Sequence, residues 1–169
     1  METVLERTSD FIFLIFKYLL ILLIVEIATI IGANIFGRYF LDISIYWAEE
    51  VTRYSFVWAT FLGAACAYRQ RGLVSMSVMV HKMSPQWRLK VGFMLDAAMG
   101  VFLLIGFVYG VRLTLAVINQ QSASLEISMS IVYICIPLSC LCMLIFNLTQ
   151  VISVLKSKQP LPIWGEDWT

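Results

Sequence analysis

Apolar positions dominate four long runs of the chain, residues 11–40, 47–68, 86–118 and 127–155, separated by short polar stretches. Each run reaches the roughly 20 residues that a helix needs to cross a hydrocarbon core of about 30 Å, so the pattern predicts four transmembrane helices. The first would extend about 45 Å as a helix and must tilt, bend or project beyond the bilayer. Between the second and third runs, Leu73, Met76, Met79, Val80 and Met83 fall on one helical face, with Ser75, Ser77, His81 and Lys82 off it. Residues 73–83 are too short to span and predict an amphipathic helix lying in the interface. The expected fold is an all-α integral membrane protein, with residues 1–169 forming a single membrane domain.

Punctuation residues sharpen these boundaries. Ser44 is placed to cap the second helix, and Arg69-Gln70-Arg71-Gly72 closes it with basic side chains followed by a glycine. Ser84-Pro85 supplies a cap and a proline at the first helical position of the third. The polar run Asn119 to Ser124 reads as a loop, Pro137 is expected to kink the fourth helix, and the tail from Lys156 is too short for a domain.

Small residues mark where helices should meet. Glu26, Thr29, Ala33 and Gly37 form one stripe on the first helix, Gly63-Ala64-Ala65 and Ala67 lie on the second, and Gly92, Asp96, Gly100 and Gly110 lie on the third. Gly106 and Gly110 make a formal GxxxG. Toward the end of the first helix Asn34 and Arg38 lie one turn apart. Glu49 and Arg53 have the same spacing at the start of the second, while Trp47, Glu50, Tyr54 and Trp58 fall near one face. Tryptophan and tyrosine favour the headgroup level, which makes this face an interfacial belt; its adjacent carboxylates and arginine also suit docking onto another membrane protein.

Composition confirms the class and removes others. Hydrophobic residues make up 60% of the 169 and charged ones 14%, too little polar surface for a soluble globule, and the net charge of +1 gives no reason to expect nucleic acid. The apolar stretch after the mixed-charge N-terminus is too long for a signal-peptide core, so cleavage is not expected. Cys66, Cys135, Cys140 and Cys142 lie within apolar runs without metal or disulfide spacing, and no cofactor is expected. Asn147-Leu148-Thr149 matches a glycosylation acceptor inside a predicted membrane helix and is set aside as chance. A membrane haem held by two imidazoles is excluded because His81 is the single histidine. No phosphate loop or nucleophile with a histidine base is found, so an enzyme is not expected.

Basic residues set the orientation. Arg7, Lys17, Arg69, Arg71, Lys82, Arg88, Lys90, Lys156 and Lys158 share one side, against Arg38, Arg53 and Arg112 on the other. Both termini and the middle loop are therefore expected in the cytoplasm. Glu26, the carboxylate deep in the first helix, leaves open a self-sufficient four-helix proton-coupled exporter, although a carboxylate on a small-residue face more often serves packing.

Across almost its whole length the chain resembles the small membrane subunit, or DctQ-like component, of tripartite ATP-independent periplasmic (TRAP) transporters. The resemblance rests on Asn34 with Arg38, on Trp47-Ala48-Glu49-Glu50 with Arg53-Tyr54, Phe56 and Trp58, on Gly63-Ala64-Ala65, on the Arg69 to Gly72 turn and on Ser84-Pro85. It departs at Leu73 and Ser77, where many members carry a histidine and an acidic residue, so whatever those do does not transfer. The resemblance implies an inner-membrane scaffold that binds no solute itself. Its partners would be a large elevator-type subunit driven by sodium, a periplasmic solute-binding protein and membrane phospholipids. The cargo would be an organic acid, sialic acid first and C4-dicarboxylates next. Candidate subunit-interface residues are Glu26, Asn34, Arg38, Trp47, Glu49, Glu50, Arg53, Tyr54, Trp58 and Asp96.

Overall fold

Helices follow the apolar runs closely in the computed structural model, which describes residues 4–43, 45–70 and 85–157. They are α1 (Val4–Phe40), α2 (Ala48–Arg69), α3 (Pro85–Ala116), a single turn α4 (Ser130–Tyr133) and α5 (Cys135–Ser157). Among the described residues the one β-type pairing is an isolated bridge between Gln121 and Ser128. The expected interfacial helix at 73–83, the Arg71-Gly72 end of the turn, Ser84 and the tail beyond Ser157 lie outside the described residues.

Among the described residues three helical stretches are long and apolar enough to cross a membrane: Arg7–Phe40, Lys90–Ala116 and Ser130–Ile152. Helix α2 has 22 residues, about 33 Å of helix, but carries Glu49, Glu50, Arg53 and Arg69, which lower its apolarity below that of the others. It runs antiparallel along α1. Arg69 bonds Asp10 at 2.6 Å, Gly63 packs on Leu20, Ser55 donates to Glu26 at 3.0 Å, and the Ile45 N–H donates to Asn34 Oδ1 at 3.2 Å. These contacts hold one register from end to end.

The core lies where α5 crosses the other helices. Phe16, Leu62, Ala65, Tyr68, Leu103, Cys142, Met143 and Phe146 are among its buried members. Half of the apolar stretch of α5 is buried, against 6% in α1 and in α3, so α5 is the inner helix and the other two turn most of their apolar surface outward. Outward leucine, isoleucine and phenylalanine side chains cost nothing against lipid tails, which are as apolar as they are.

The glycine expectations hold on α3 where α5 passes. A Cβ on Gly106 would lie 3.2 Å from the Cys140 Sγ, and one on Gly110 would lie 3.1 Å from both Ile136 and Pro137. Gly92 has nothing within 4 Å and is not part of that contact. The stripe on α1 also needs correction, because Thr29 and Ala33 are exposed and Thr29 bonds its own helix at the Val25 carbonyl. The less exposed face of α1 is rotated to Leu23, Glu26, Ile27, Ile30, Asn34 and Gly37, in which larger side chains rather than a small-residue row predominate.

The helix ends carry further detail. The residue preceding α2 is Trp47, whose side chain makes no capping bond, and Ser44, the expected cap, lies outside the described residues. Asp42 takes a left-handed conformation, φ 55°, and the chain turns back so that the Ile43 N–H reaches the Gly37 carbonyl at 3.0 Å. A Cβ at Gly37 would stand 3.2 Å from the Ile43 carbonyl, which is why glycine fits there. The fourth run is not one helix from residue 127. Helix begins at Ser130 and is interrupted at Ile134, because Pro137 offers no N–H and the ladder loses a bond just where α4 passes into α5.

Candidate functional site

One end of the bundle gathers most of the sequence-predicted residues. Glu50 stands in the first turn of α2, where a carboxylate suits the positive end of the helix dipole. Its Oε1 accepts from the Tyr54 hydroxyl one turn along and from the Ala123 N–H at 3.2 Å, and its Oε2 accepts from the Ser124 N–H at 2.8 Å. A carboxylate gripping two successive backbone N–H groups is a charge-assisted clamp. The clamped loop is itself closed by Ser122 N–H to Ile127 O and Met129 N–H to Gln120 O, both 2.9 Å, with Glu126 left-handed at φ 54°.

Tyr54 and Trp58 continue the same face. The Tyr54 hydroxyl also meets Met129 Sδ at 3.4 Å, and Trp58 Nε1 donates to the Ile131 carbonyl at 3.3 Å. Thus Glu50, Tyr54 and Trp58, four residues apart in turn, carry the segment 122–131 against α2. Trp47, expected on that face, remains 40% exposed and takes no part.

On the other side of α2 lies a groove of about 500 Å³ against α1, lined by Ile27, Ile31, Ile35, Ala48 and Phe56 together with Asn34, Glu49, Thr52 and Arg53. Glu49 and Arg53 are both exposed, and among the described residues no ion pair joins them although their spacing would allow one. Arg38 is exposed in the last turn of α1, at the negative end of that helix dipole. Asn34 serves the linker by accepting from Ile45, and Glu26 is engaged by Ser55, a buried hydroxyl of α2.

At the opposite end a second polar cluster was missed by sequence reasoning. Asn147 is 5% exposed and donates through Nδ2 to the Tyr68 hydroxyl at 2.6 Å and to the Asp96 carbonyl at 3.1 Å. Gln150 Nε2 reaches the Tyr68 carbonyl at 3.5 Å. The cluster joins α2, α3 and α5. Asp96, expected at a subunit interface, enters it through its backbone. The signal is present in the sequence, since carboxamides within a membrane helix need partners, although Asn147 also falls in a glycosylation-like triplet that masks it.

None of these groups combines a nucleophile with a base, and among the described residues no cluster of His, Cys, Asp and Glu is disposed to hold a metal ion. All four cysteines are free and buried. What the polar groups do is fasten helices and a loop to one another.

Residues 27–157 match the family model described as "Tripartite ATP-independent periplasmic transporters, DctQ component". The chain is also similar to a protein of Haemophilus influenzae that carries the name TRAP transporter small permease protein, with 31% identity over 83 residues. That stretch is 49% of this chain and 52% of the relative, so the similarity spans about half the relative's length.

Proposed function

Because this chain belongs to the DctQ component family of tripartite ATP-independent periplasmic transporters, we propose that it is the static small subunit of such a transporter, a wall for a moving partner that binds no solute itself. It crosses the bacterial inner membrane four times, with α2 as the fourth span and both termini in the cytoplasm. Its partners are a large membrane subunit that carries the solute and a periplasmic protein that delivers it. The cargo of the complex is an organic acid driven by sodium, sialic acid before a C4-dicarboxylate.

The observation that carries this reading is how the polar side chains are spent. Glu50 holds the 122–125 loop, Glu26 holds Ser55, and Asn147 holds Tyr68, so the polar groups serve internal fastening. An exporter built on Glu26 would need that carboxylate free to exchange protons and cargo, and its bond to Ser55 favours packing instead. Meanwhile α1 and α3 offer broad apolar outer faces, the surface a scaffold needs toward lipid and a neighbouring membrane subunit.

Co-expression with the large subunit should give a complex of one copy of each, stable through detergent purification; recovery of this chain only as a free species would contradict the scaffold role. Topology is tested separately. Tyr46 and Gln70 are exposed on either side of α2. In a chain stripped of native cysteines, Tyr46→Cys should react with an impermeant thiol reagent in intact cells and Gln70→Cys should not. The reverse pattern would invert the orientation, and equal labelling of both would place α2 outside the set of spans.

A further inference from the structure

The groove between α1 and α2 has a polarity that its apolar lining alone does not explain. Its depth is marked by Ile27, Ile31 and Phe56, all apolar. At its α2 edge stand two opposite charges in a set order. Glu49 is in the first turn of α2, nearest the end of the helix, and Arg53 is one turn, about 5.4 Å, farther along toward the middle of the bundle. Among the described residues neither side chain has an ion pair or hydrogen bond, and they are not paired with each other. Between them Thr52 also lines the groove, with its Oγ1 buried and without a hydrogen-bond partner. An arginine left unpaired beside a helix in lipid is costly and calls for an anion.

We propose that this groove is a binding site for a phospholipid with a zwitterionic, primary-amine headgroup, of the phosphatidylethanolamine type. In such a lipid the phosphate lies next to the glycerol and acyl chains, and the ammonium lies farther out. The groove repeats that order. Its apolar depth takes one acyl chain along Ile27, Ile31 and Phe56. Arg53, the deeper charge, reaches up its apolar stem to present its guanidinium fork to the phosphate. Glu49, the outer charge, accepts from the ammonium. The charge order selects the lipid class: phosphatidylglycerol would satisfy Arg53 but leave Glu49 facing a headgroup with no cation. An acyl chain held there would fill the seam between α1 and α2 where the side chains leave it open.

The inference rests on the reading that α1 and α2 both cross the membrane, and the labelling at Tyr46 and Gln70 decides this for α2 without reference to lipid. The lipid itself is tested on the purified full chain, delipidated in detergent and offered mixed micelles of phosphatidylethanolamine and phosphatidylglycerol with matched acyl chains, the retained lipid being counted by native mass spectrometry. The wild type should retain phosphatidylethanolamine over phosphatidylglycerol by about tenfold, the worth of one charge-assisted hydrogen bond. Arg53→Ala should lose about tenfold toward both lipids, and Arg53→Lys should keep most of the binding. Glu49→Gln should keep the binding and abolish the preference, which decides the matter even where Arg53→Ala does not fold. Equal retention of the two lipids by the wild type, or an unchanged preference in Glu49→Gln, would overturn the proposal. So would loss of all phosphatidylethanolamine on assembly with the large subunit together with crosslinking of Ile31→Cys to it, which would give the groove to a protein helix.

Discussion

Glu50→Ala should release the loop at 122–129 from the bundle. The substitution removes at one stroke the acceptor of the Tyr54 hydroxyl and of the Ala123 and Ser124 N–H groups. The loop keeps its own closing bonds from Ser122 and Met129, so it should detach as a unit rather than lose its shape. Amide exchange is the direct readout, and Ala123 and Ser124 should exchange about tenfold faster or more, since local opening then costs only the remaining contacts. Glu50→Gln should fall between, because one oxygen survives while the other becomes an amine facing a backbone donor. Uptake by the assembled transporter should fall with loop release, as the loop lies at the end of the bundle expected to face the periplasm. Unchanged exchange in Glu50→Ala would show that Trp58 and the loop's own bonds suffice.

The second large effect is expected at Asn147. Asn147→Leu keeps the volume but withdraws the donor from the Tyr68 hydroxyl and the Asp96 carbonyl. Hydrogen bonds between membrane helices are worth about 1 to 2 kcal/mol, and the loss should fall in that range. Unfolding in a mixed-micelle denaturant titration should register that loss. Because Asn147 and Tyr68 act as one unit, Asn147→Leu combined with Tyr68→Phe should cost clearly less than the sum of the two single changes. Strict additivity would mean that the 2.6 Å bond contributes nothing of its own.

These two sites also show what a reader of the sequence sees and what escapes. The helices were legible because long apolar runs have one viable structure in lipid. Spacing by four grouped Glu50, Tyr54 and Trp58 correctly, since helical periodicity is local. What covers that face is another matter, because the partner lies more than 60 residues away, at 122–131, and periodicity carries no information across such a distance. The same blindness explains Glu49 and Arg53, whose spacing permits a bridge that the side chains do not make. For α1 the small residues pointed to Thr29 and Ala33, whereas the seam is set by the antiparallel register with α2 through Glu26, Asn34 and Gly37. Pro137 is legible as a point of interruption, and its missing donor accompanies the one-residue break at Ile134 between α4 and α5. Asn147 was visible as a residue but not as a hub, since its value depends on Tyr68 and on the backbone at Asp96.

Whether this chain is a wall or a transporter in its own right is decided most directly by sodium-driven sialic acid uptake into proteoliposomes, supplied with the periplasmic binding protein and containing this chain alone, the large subunit alone, or both. The scaffold reading expects uptake with both subunits, none with this chain alone and little with the large subunit alone. Uptake by this chain alone, or full uptake by the large subunit without it, would contradict that reading.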